Sequence, residues 1–313
     1  MKKKNIRVGV IGTGHLGKHH ARILASMEGV ELVGVVDSRE QVAKEIGETY
    51  QVPFHSDYRA LEGKVDAVTV VVPTFLHHEV ARFFLERTVH TFIEKPVTKT
   101  LEEATDLVQV ANHKQLTLQV GHIERFNAAM IKLQSLCQAP RFIECQRMGP
   151  FSNRIQDVGV VQDLMIHDID IVLSLVRSPI RSIDAVGIPV LSSNEDIANA
   201  HIVFENGCIA NMTSSRVSQE KIRKLRIFEM DKYCSLDYAN QAITVARKSS
   251  QEASILKEEL EVEKVEPLRL ELEHFIRCIR EQKKPLVTIE DGKNALEVAL
   301  EILALIKAGW KNL

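Results

Sequence analysis

Aromatic residues and an excess of one charge are both lacking in this chain of 313 residues. Phe, Trp and Tyr make up 5% of it, and 40 Lys and Arg nearly balance 42 Asp and Glu, for a formal charge of −2. Binding to nucleic acid through its phosphates needs a basic surface, so we expect no nucleic-acid partner. Charged residues at 26% and hydrophobic residues at 45% are near the average for globular chains, which excludes a disordered or collagen-like chain.

Cysteine is sparse, and long apolar runs are missing. The five cysteines are widely spaced and show no metal-ligand or C-x-x-C spacing, so we expect buried thiols and no metal site. No apolar run approaches the ~18 residues that a membrane span needs. The basic residues 1–5 are followed by Arg7 and glycines instead of the apolar segment of a signal peptide. The sequence therefore predicts a cytoplasmic protein without membrane contact.

Short apolar runs alternate with helical patterns over the first ~120 residues, which is typical of βαβ units and a parallel sheet. The run at 66–72 (DAVTVVV) is continuous and rich in β-branched residues, as a strand buried on both faces requires. We expect strands at 6–11, 30–37, 66–72, 89–93 and 116–120, separated by helices at 15–27, 39–50, 74–87 and 101–114.

The pattern changes after Gly121. Helices are expected at 125–136 and 160–176, and strand-like runs separated by turn residues indicate an antiparallel sheet. These runs occupy 200–204, 208–214 and 225–230, and two closing helices follow, one from Pro267 and one at 293–308. We predict an α/β protein with a doubly wound parallel sheet in residues 1–121. Residues 122–313 would form an α+β domain with a mostly antiparallel sheet, for substrate binding and oligomerisation.

A glycine-rich turn follows the first strand and opens the first helix. Its residues match G-x-G-x-x-G, a pattern in which the glycines allow a tight turn, approach of a pyrophosphate and helix packing: Gly12, Gly14, His15, Leu16 and Gly17. Asp37 ends the second strand, 20 residues after Gly17, where a carboxylate binds ribose hydroxyls. We predict a Rossmann domain that binds NAD. Because Arg39 is nearby, NADP is also possible.

Two loops end at the carboxyl edge of the predicted parallel sheet, where open α/β sheets bind ligands. One holds Glu94 and Lys95, followed by Pro96. The ammonium group of Lys95 could polarise a substrate oxygen. The other holds Pro73 and Thr74, followed by His77. We expect five residues of these two loops to bind the cofactor: Pro73, Thr74, His77, Glu94 and Lys95. A surface lysine in an ordinary loop is the alternative for the first of these loops.

The helix predicted at 160–176 carries Asp163, His167, Asp170 and Ser174 along one face. An aspartate one turn before a histidine can orient the imidazole and stabilise its protonated form, which suits a general base. A solvated amphipathic helix is the alternative. A metal site from His167, Asp168 and Asp170 is disfavoured, because consecutive helical residues point in different directions. His19 and His20, on the first helix, are expected at the surface.

These motifs together resemble the Gfo/Idh/MocA family of dinucleotide-dependent sugar and polyol dehydrogenases. The resemblance also includes Asp291-Gly292 before the final helix. It implies that Lys95, Asp163 and His167 are the catalytic group, with either Lys95 or His167 taking the proton. The chain departs from the family's pattern at Val160-Val161 and Met165, where glycines are common. We therefore expect a reshaped substrate pocket.

Segments 120–127, 147–151 and 163–170 are similar to the branch that oxidises the 3-hydroxyl of UDP-N-acetylglucosamine for lipid A amino-sugar synthesis. That resemblance implies a UDP-sugar substrate and a downstream aminotransferase. Arg125, Arg147 and Arg154 could then bind the diphosphate, although solvated arginines are as good an interpretation.

Two alternatives stay open from the sequence. One is a dehydrogenase of a free polyol or monosaccharide such as myo-inositol, and the other is a non-catalytic ligand-sensing protein on the same fold. The combination of Lys95, Asp163 and His167 disfavours the sensor. The open face of the predicted second sheet needs a cover, so a homodimer or homotetramer is expected.

Overall fold

The computed structural model describes residues 4–151, 158–248 and 254–311. The chain divides into two compact units. The first comprises Met1–Ile123 with Glu266–Lys293, and the second comprises Glu124–Val265 with Asn294–Leu313.

The first unit contains a six-stranded, fully parallel sheet in the order β3-β2-β1-β4-β5-β6. The order reverses direction between β1 and β4, where open α/β sheets bind ligands beyond the carboxyl ends of their strands. The strands are β1 (Ile6–Ile11), β2 (Val30–Val36), β3 (Phe54–His55), β4 (Ala67–Val70), β5 (His90–Glu94) and β6 (Leu118–Gly121). The connecting helices are α1 (Gly17–Ala25), α2 (Glu40–Tyr50), α3 (His77–Glu86) and α4 (Leu101–Lys114).

The central strands of this sheet are buried on both faces. Val8, Val10, Val68 and Val70 have no exposed surface, which explains why their segments read as continuous β-branched runs. The predicted doubly wound parallel sheet is confirmed.

Helix α7 (Pro267–Glu281) packs into the core of the first unit, far along the chain from its strands. Its apolar stripe includes Leu272 and Phe275, and the ring of Phe275 meets that of Phe92 edge-on with centroids 5.8 Å apart. The predicted domain boundary between residues 121 and 122 assigns α7 to the second domain, whereas residues 266–293 belong to the first unit. This return of the chain arises because the stripe on α7 matches apolar surface left open on the first core.

The second unit contains an eight-stranded sheet in the order β14-β13-β12-β11-β7-β10-β9-β8. Among the described strands, β7 and β10 pair in parallel and the other neighbours pair antiparallel, which confirms the mostly antiparallel prediction. The strands are β7 (Phe142–Met148), β8 (Ile180–Ile188), β9 (Ile197–Phe204), β10 (Ile209–Ser215), β11 (Ile222–Phe228), β12 (Lys232–Asp237), β13 (Ala242–Lys248) and β14 (Ile255–Leu260). The remaining helices are α5 (Ala128–Leu136), α6 (Ile166–Val176) and α8 (Ile289–Trp310).

The helix predicted at 160–176 has two parts. A π-helical turn, Val161–Met165, precedes α6. Short 3-10 turns occur at Tyr58–Leu61, Thr74–Leu76 and Ile123–Phe126. Within the described residues, no helix is both long enough and apolar enough to cross a membrane.

Candidate active site

The glycine turn of the first unit is shaped to admit a ligand at one position. Gly12 has φ of +88°, and a Cβ there would lie 2.4 Å from the carbonyl oxygen of Val71. A Cβ on Gly17 would lie 1.7 Å from the carbonyl oxygen of Gly12. At Gly14 the nearest atom to an added Cβ is Nη2 of Arg39, at 3.5 Å. The turn is therefore closed by the outer glycines and open at Gly14, which fits a pyrophosphate at the start of α1.

Asp37 follows β2 and faces this turn. Its Oδ2 accepts a hydrogen bond from the backbone N–H of Thr13 (3.0 Å), and its Oδ1 accepts from the N–H (3.0 Å) and Nε (3.1 Å) of Arg39. Burial alone would raise the pKa of Asp37, but the hydrogen bonds from Arg39 and Thr13 outweigh it and hold the pKa below its ordinary value. An ionised carboxylate at this place fits the ribose hydroxyls of NAD.

His77 connects the two loops at the carboxyl edge of the sheet. Its Nδ1 lies 2.9 Å from the carbonyl oxygen of Pro96 and its Nε2 lies 2.9 Å from that of Val72. Burial lowers the pKa of His77 and outweighs these carbonyl contacts, so the neutral ring donates to one carbonyl at a time. Both ring nitrogens thus face the protein's own backbone, which favours a role for His77 in holding the loops. Pro73 and Thr74 lie at the start of the same loop, where a 3-10 turn begins at Thr74.

Strand β5 ends at Glu94, and Lys95 follows it. The Glu94 side chain is buried, and its Oε1 lies 3.2 Å from Nε2 of His20. His20 has no exposed surface and packs edge-on against Phe92, so the expectation that it lies at the surface is wrong. The signal was present in the sequence, because His20 shares the helical spacing of Ile23, Leu24 and Met27. Lys95 itself is partly buried at the carboxyl edge.

Asp163 and His167 occupy the second unit, on the π-helical turn and on α6 respectively. Both side chains are partly exposed, whereas Asp168 and Asp170 are buried. Of the predicted polar stripe, Asp170 is therefore buried, while Asp163, His167 and Ser174 are partly exposed. π-Helical turns within helices are frequent at functional sites, because the extra residue redirects side chains.

Arg147 lies beneath α6 in an ionic cluster. Its Nη2 lies 2.9 Å from Oδ1 of Asp168, and its Nη1 donates to Oε1 of Glu124 at 2.8 Å. The guanidinium also lies over the ring of Tyr238, 5.2 Å from its centroid. Burial by itself would lower the pKa of Arg147, but the two carboxylates outweigh it and raise the pKa, so the side chain stays cationic.

The arginines predicted to bind a diphosphate are thus engaged in other contacts. Arg147 is 3% exposed and holds two carboxylates, while Nε of Arg125 lies 3.3 Å from Oδ2 of Asp170. This geometry favours positioning of α6 over contact with a ligand, and the diphosphate contact stays a prediction. Arg154 lies outside the described residues.

Asp168 and Asp170, two members of the disfavoured metal set, each face an arginine. Over the described residues, no three His, Cys, Asp or Glu side chains form a group that could hold a metal ion.

The five cysteines are buried and form no disulfide, as expected: Cys137, Cys145, Cys208, Cys234 and Cys278.

Sequence motifs did not reveal three buried charged residues near the start of the π-helical turn. These are Glu195, Asp196 and Arg216, which are 2%, 0% and 6% exposed. No spacing in the sequence distinguishes them from solvated loop residues.

Comparisons with known proteins agree with this geometry. Residues 6–122 match a family model described as an oxidoreductase family with an NAD-binding Rossmann fold, and residues 131–229 match the GFO/IDH/MocA C-terminal domain. The chain is 34% identical to UDP-N-acetylglucosamine 3-dehydrogenase of Acidithiobacillus ferrooxidans, over 97% of this chain and 98% of that protein. It is 29% identical to scyllo-inositol 2-dehydrogenase (NAD(+)) of Bacillus subtilis, over 94% of this chain and 92% of that protein.

Solved structures give the same result. The structure of the Acidithiobacillus ferrooxidans enzyme superimposes with a TM-score of 0.93 at 34% identity, covering 98% of this chain and 99% of that one. A levoglucosan dehydrogenase complex with NADH and L-sorbose superimposes with a TM-score of 0.88 at 18% identity, covering 98% of each chain, and shows the fold alone. The expected enzyme class, an NAD-dependent dehydrogenase, is confirmed.

Proposed function

Because the chain belongs to the GFO/IDH/MocA oxidoreductase family, we propose that it oxidises the 3-hydroxyl of UDP-N-acetylglucosamine to a ketone, with NAD as cofactor. One observation carries the choice of substrate. The Acidithiobacillus ferrooxidans relative named for this reaction is 34% identical over nearly the full length of both chains.

The first unit would bind the cofactor. The open position at Gly14 and the N-terminus of α1 would hold the pyrophosphate, and the carboxylate of Asp37 would accept hydrogen bonds from the ribose hydroxyls. NAD, when bound, supplies the hydride acceptor. The carboxylate of Asp37 would disfavour the 2′-phosphate of NADP, whereas the neighbouring Arg39 could bind it, so NADP is the weaker alternative.

Proton handling would belong to Lys95, Asp163 and His167. The imidazole of His167, or the uncharged amine of Lys95, would take the hydroxyl proton as the hydride leaves the carbon. Asp163 would orient the imidazole of His167. The partial exposure of Asp163 and His167 leaves both accessible to a substrate, which supports these roles.

We further propose that the chain forms a homodimer or homotetramer and works in the cytoplasm ahead of an aminotransferase that consumes the keto product. The alternating burial along β7 supports an assembly, because one face of the sheet packs on the core and the other needs a cover.

A free polyol is the second candidate substrate. The Bacillus subtilis relative named scyllo-inositol 2-dehydrogenase is 29% identical over 94% of this chain, and this likeness supports the alternative. A ligand sensor is disfavoured, because the family is one of oxidoreductases.

The test is incubation with NAD and UDP-N-acetylglucosamine, with an aminotransferase present to remove the keto sugar, while NADH absorbance is followed. Parallel reactions contain scyllo-inositol, myo-inositol or UDP-glucose, and Lys95→Met is the inactive control. The proposal is supported if NADH forms with UDP-N-acetylglucosamine and with none of the other three compounds. Turnover of an inositol without turnover of the UDP-sugar would replace it with the polyol alternative.

A further inference from the structure

The start of the π-helical turn is held by a buried carboxylate from another part of the second unit. The backbone N–H of Val160 donates to the carbonyl oxygen of Glu195 at 3.0 Å, and the N–H of Val161 donates to Oε1 of the same residue at 3.1 Å. Glu195 thus binds two consecutive N–H groups, which are among those that no partner within a helix can satisfy. Its negative charge also lies at the positive end of the helix.

Close packing fixes the carboxylate of Glu195 in this position. A Cβ on Gly159 would lie 2.0 Å from its Oε1, so the chain at Gly159 leaves no room for a side chain. The N–H of Asp163 donates in turn to the carbonyl oxygen of Gly159 at 3.1 Å. The chain therefore connects the Glu195 contact to Asp163 through one further hydrogen bond.

Arg216 secures the same segment from the other side. Its Nη1 donates to the carbonyl oxygen of Val158 at 2.9 Å, and its Nε donates to Oδ1 of Asp196 at 2.7 Å. Asp196 also accepts hydrogen bonds from the backbone N–H groups of Val190 and Ser192. Residues 158, 160 and 161 are thus bound by a pre-assembled cluster of Glu195, Asp196 and Arg216.

We propose that Glu195, supported by Asp196 and Arg216, is a positioning residue that sets where Asp163 and His167 stand for proton transfer. This inference rests on the proposed function of those two residues. Glu195 would act through backbone hydrogen bonds and would not touch substrate or cofactor. Removing its carboxylate would release the N–H of Val161 and let the π-helical turn shift.

The chain offers a matched control in Glu229. Its Oε1 accepts hydrogen bonds from two consecutive N–H groups, those of Gln138 and Ala139, at 2.7 Å each. The Glu229 side chain is 7% exposed, yet it binds the segment after α5 and not the start of the π-helical turn. Glu229→Ala therefore removes the same kind of contact from a different place in the same unit.

The experiment compares Glu195→Ala, Glu195→Gln and Glu229→Ala by kcat on the best substrate, by NADH affinity and by the pKa of His167 from NMR of labelled histidine. Glu195→Ala should lower kcat about 10²-fold, because a displacement of about 1 Å at a reacting group has that effect. It should also shift the pKa of His167 and leave NADH affinity unchanged. Glu195→Gln keeps an acceptor oxygen, so its kcat should fall much less than that of Glu195→Ala. Glu229→Ala should keep wild-type kcat and the wild-type pKa of His167.

Three results would overturn the proposal: wild-type kcat and His167 titration in Glu195→Ala, an equal loss of kcat in Glu229→Ala, or an equal loss in Glu195→Gln. Should Glu195→Ala fail to fold, Glu195→Asp decides by the same measurements, because its shorter side chain withdraws the carboxylate from Val161. If wild-type protein turns over no UDP-sugar, the proposed substrate fails. The His167 titration still tests the role of Glu195.

Discussion

Replacing Arg147 by methionine should destabilise the second unit far more than replacing a comparable arginine at the surface. Arg147 is 3% exposed and holds Asp168 and Glu124 at 2.9 and 2.8 Å, so Arg147→Met leaves two buried carboxylates without their cation. Removing one partner of a buried ion pair costs about 3–5 kcal/mol. At about 2–4 °C per kcal/mol for units of this size, the melting temperature should fall by about 6–20 °C.

Arg226 is the matched control for this prediction. It lies on β11 opposite Glu144 on β7, and its Nη1 is 2.8 Å from Oε2 of that residue. Its side chain is 35% exposed, so water screens the pair, and Arg226→Met should cost at most about 1 kcal/mol. Both variants are compared with wild type by thermal melting and urea unfolding. Equal, small losses in the two variants would refute the argument from burial.

The pH dependence gives an independent check. Burial raises the pKa of Asp168 even beside Arg147, and removing the cation raises it further. A carboxyl group whose pKa is higher in the folded state adds stability below its unfolded pKa, and this stability is lost as the pH rises through the folded value. The loss of unfolding free energy in Arg147→Met, relative to wild type, should therefore become smaller as the pH falls from about 7 to about 4. A deficit that is constant or larger at low pH would mean that the carboxylates are not the cause.

Three further predictions concern the proposed cofactor and proton-transfer residues. Gly14→Val should abolish NAD binding in a folded protein, since its side chain fills the open position of the turn, and isothermal titration checks this. Asp37→Ala should narrow the preference for NAD over NADP, because it removes a carboxylate that repels a 2′-phosphate, and tighter binding of NADP by wild type would contradict the assignment. Lys95→Met and His167→Ala should each lower kcat by about 10²–10⁴-fold and keep NADH affinity. If Asp163 only orients the imidazole, Asp163→Asn should lower kcat less than His167→Ala does.

The sheet of the first unit and its glycine turn were predictable because local chemistry specifies them. A β-branched run such as 66–72 is compatible with few structures besides a buried strand, and Gly12 and Gly17 occupy positions where a side chain would strike the backbone. Spacing alone was sufficient for such features. The carboxylate of Asp37 also lies beside the turn, as its position after the second strand implied.

The buried charges were less accessible to prediction, because they depend on partners distant in sequence. From its sequence motif alone, Arg147 can be a phosphate ligand or a solvated side chain, whereas its place on β7, on the same face as Ile143 and Cys145, points inward. Glu195 and Arg216 bind residues 158–161 across 34 and 58 positions of the chain. No pattern within either segment reports a contact between residues so far apart in sequence.

The return of α7 to the first unit affects how the protein can be made and divided. During synthesis, Val8 and Phe92 leave the ribosome well before Leu272 and Phe275, which share their core. The first unit must therefore wait with an uncovered apolar surface while the whole sheet of the second unit is translated. For the same reason, one cut near residue 123 would separate the nucleotide-binding strands from a helix of their own core. An isolated cofactor-binding fragment should instead join residues 4–123 to 266–293 through a short linker.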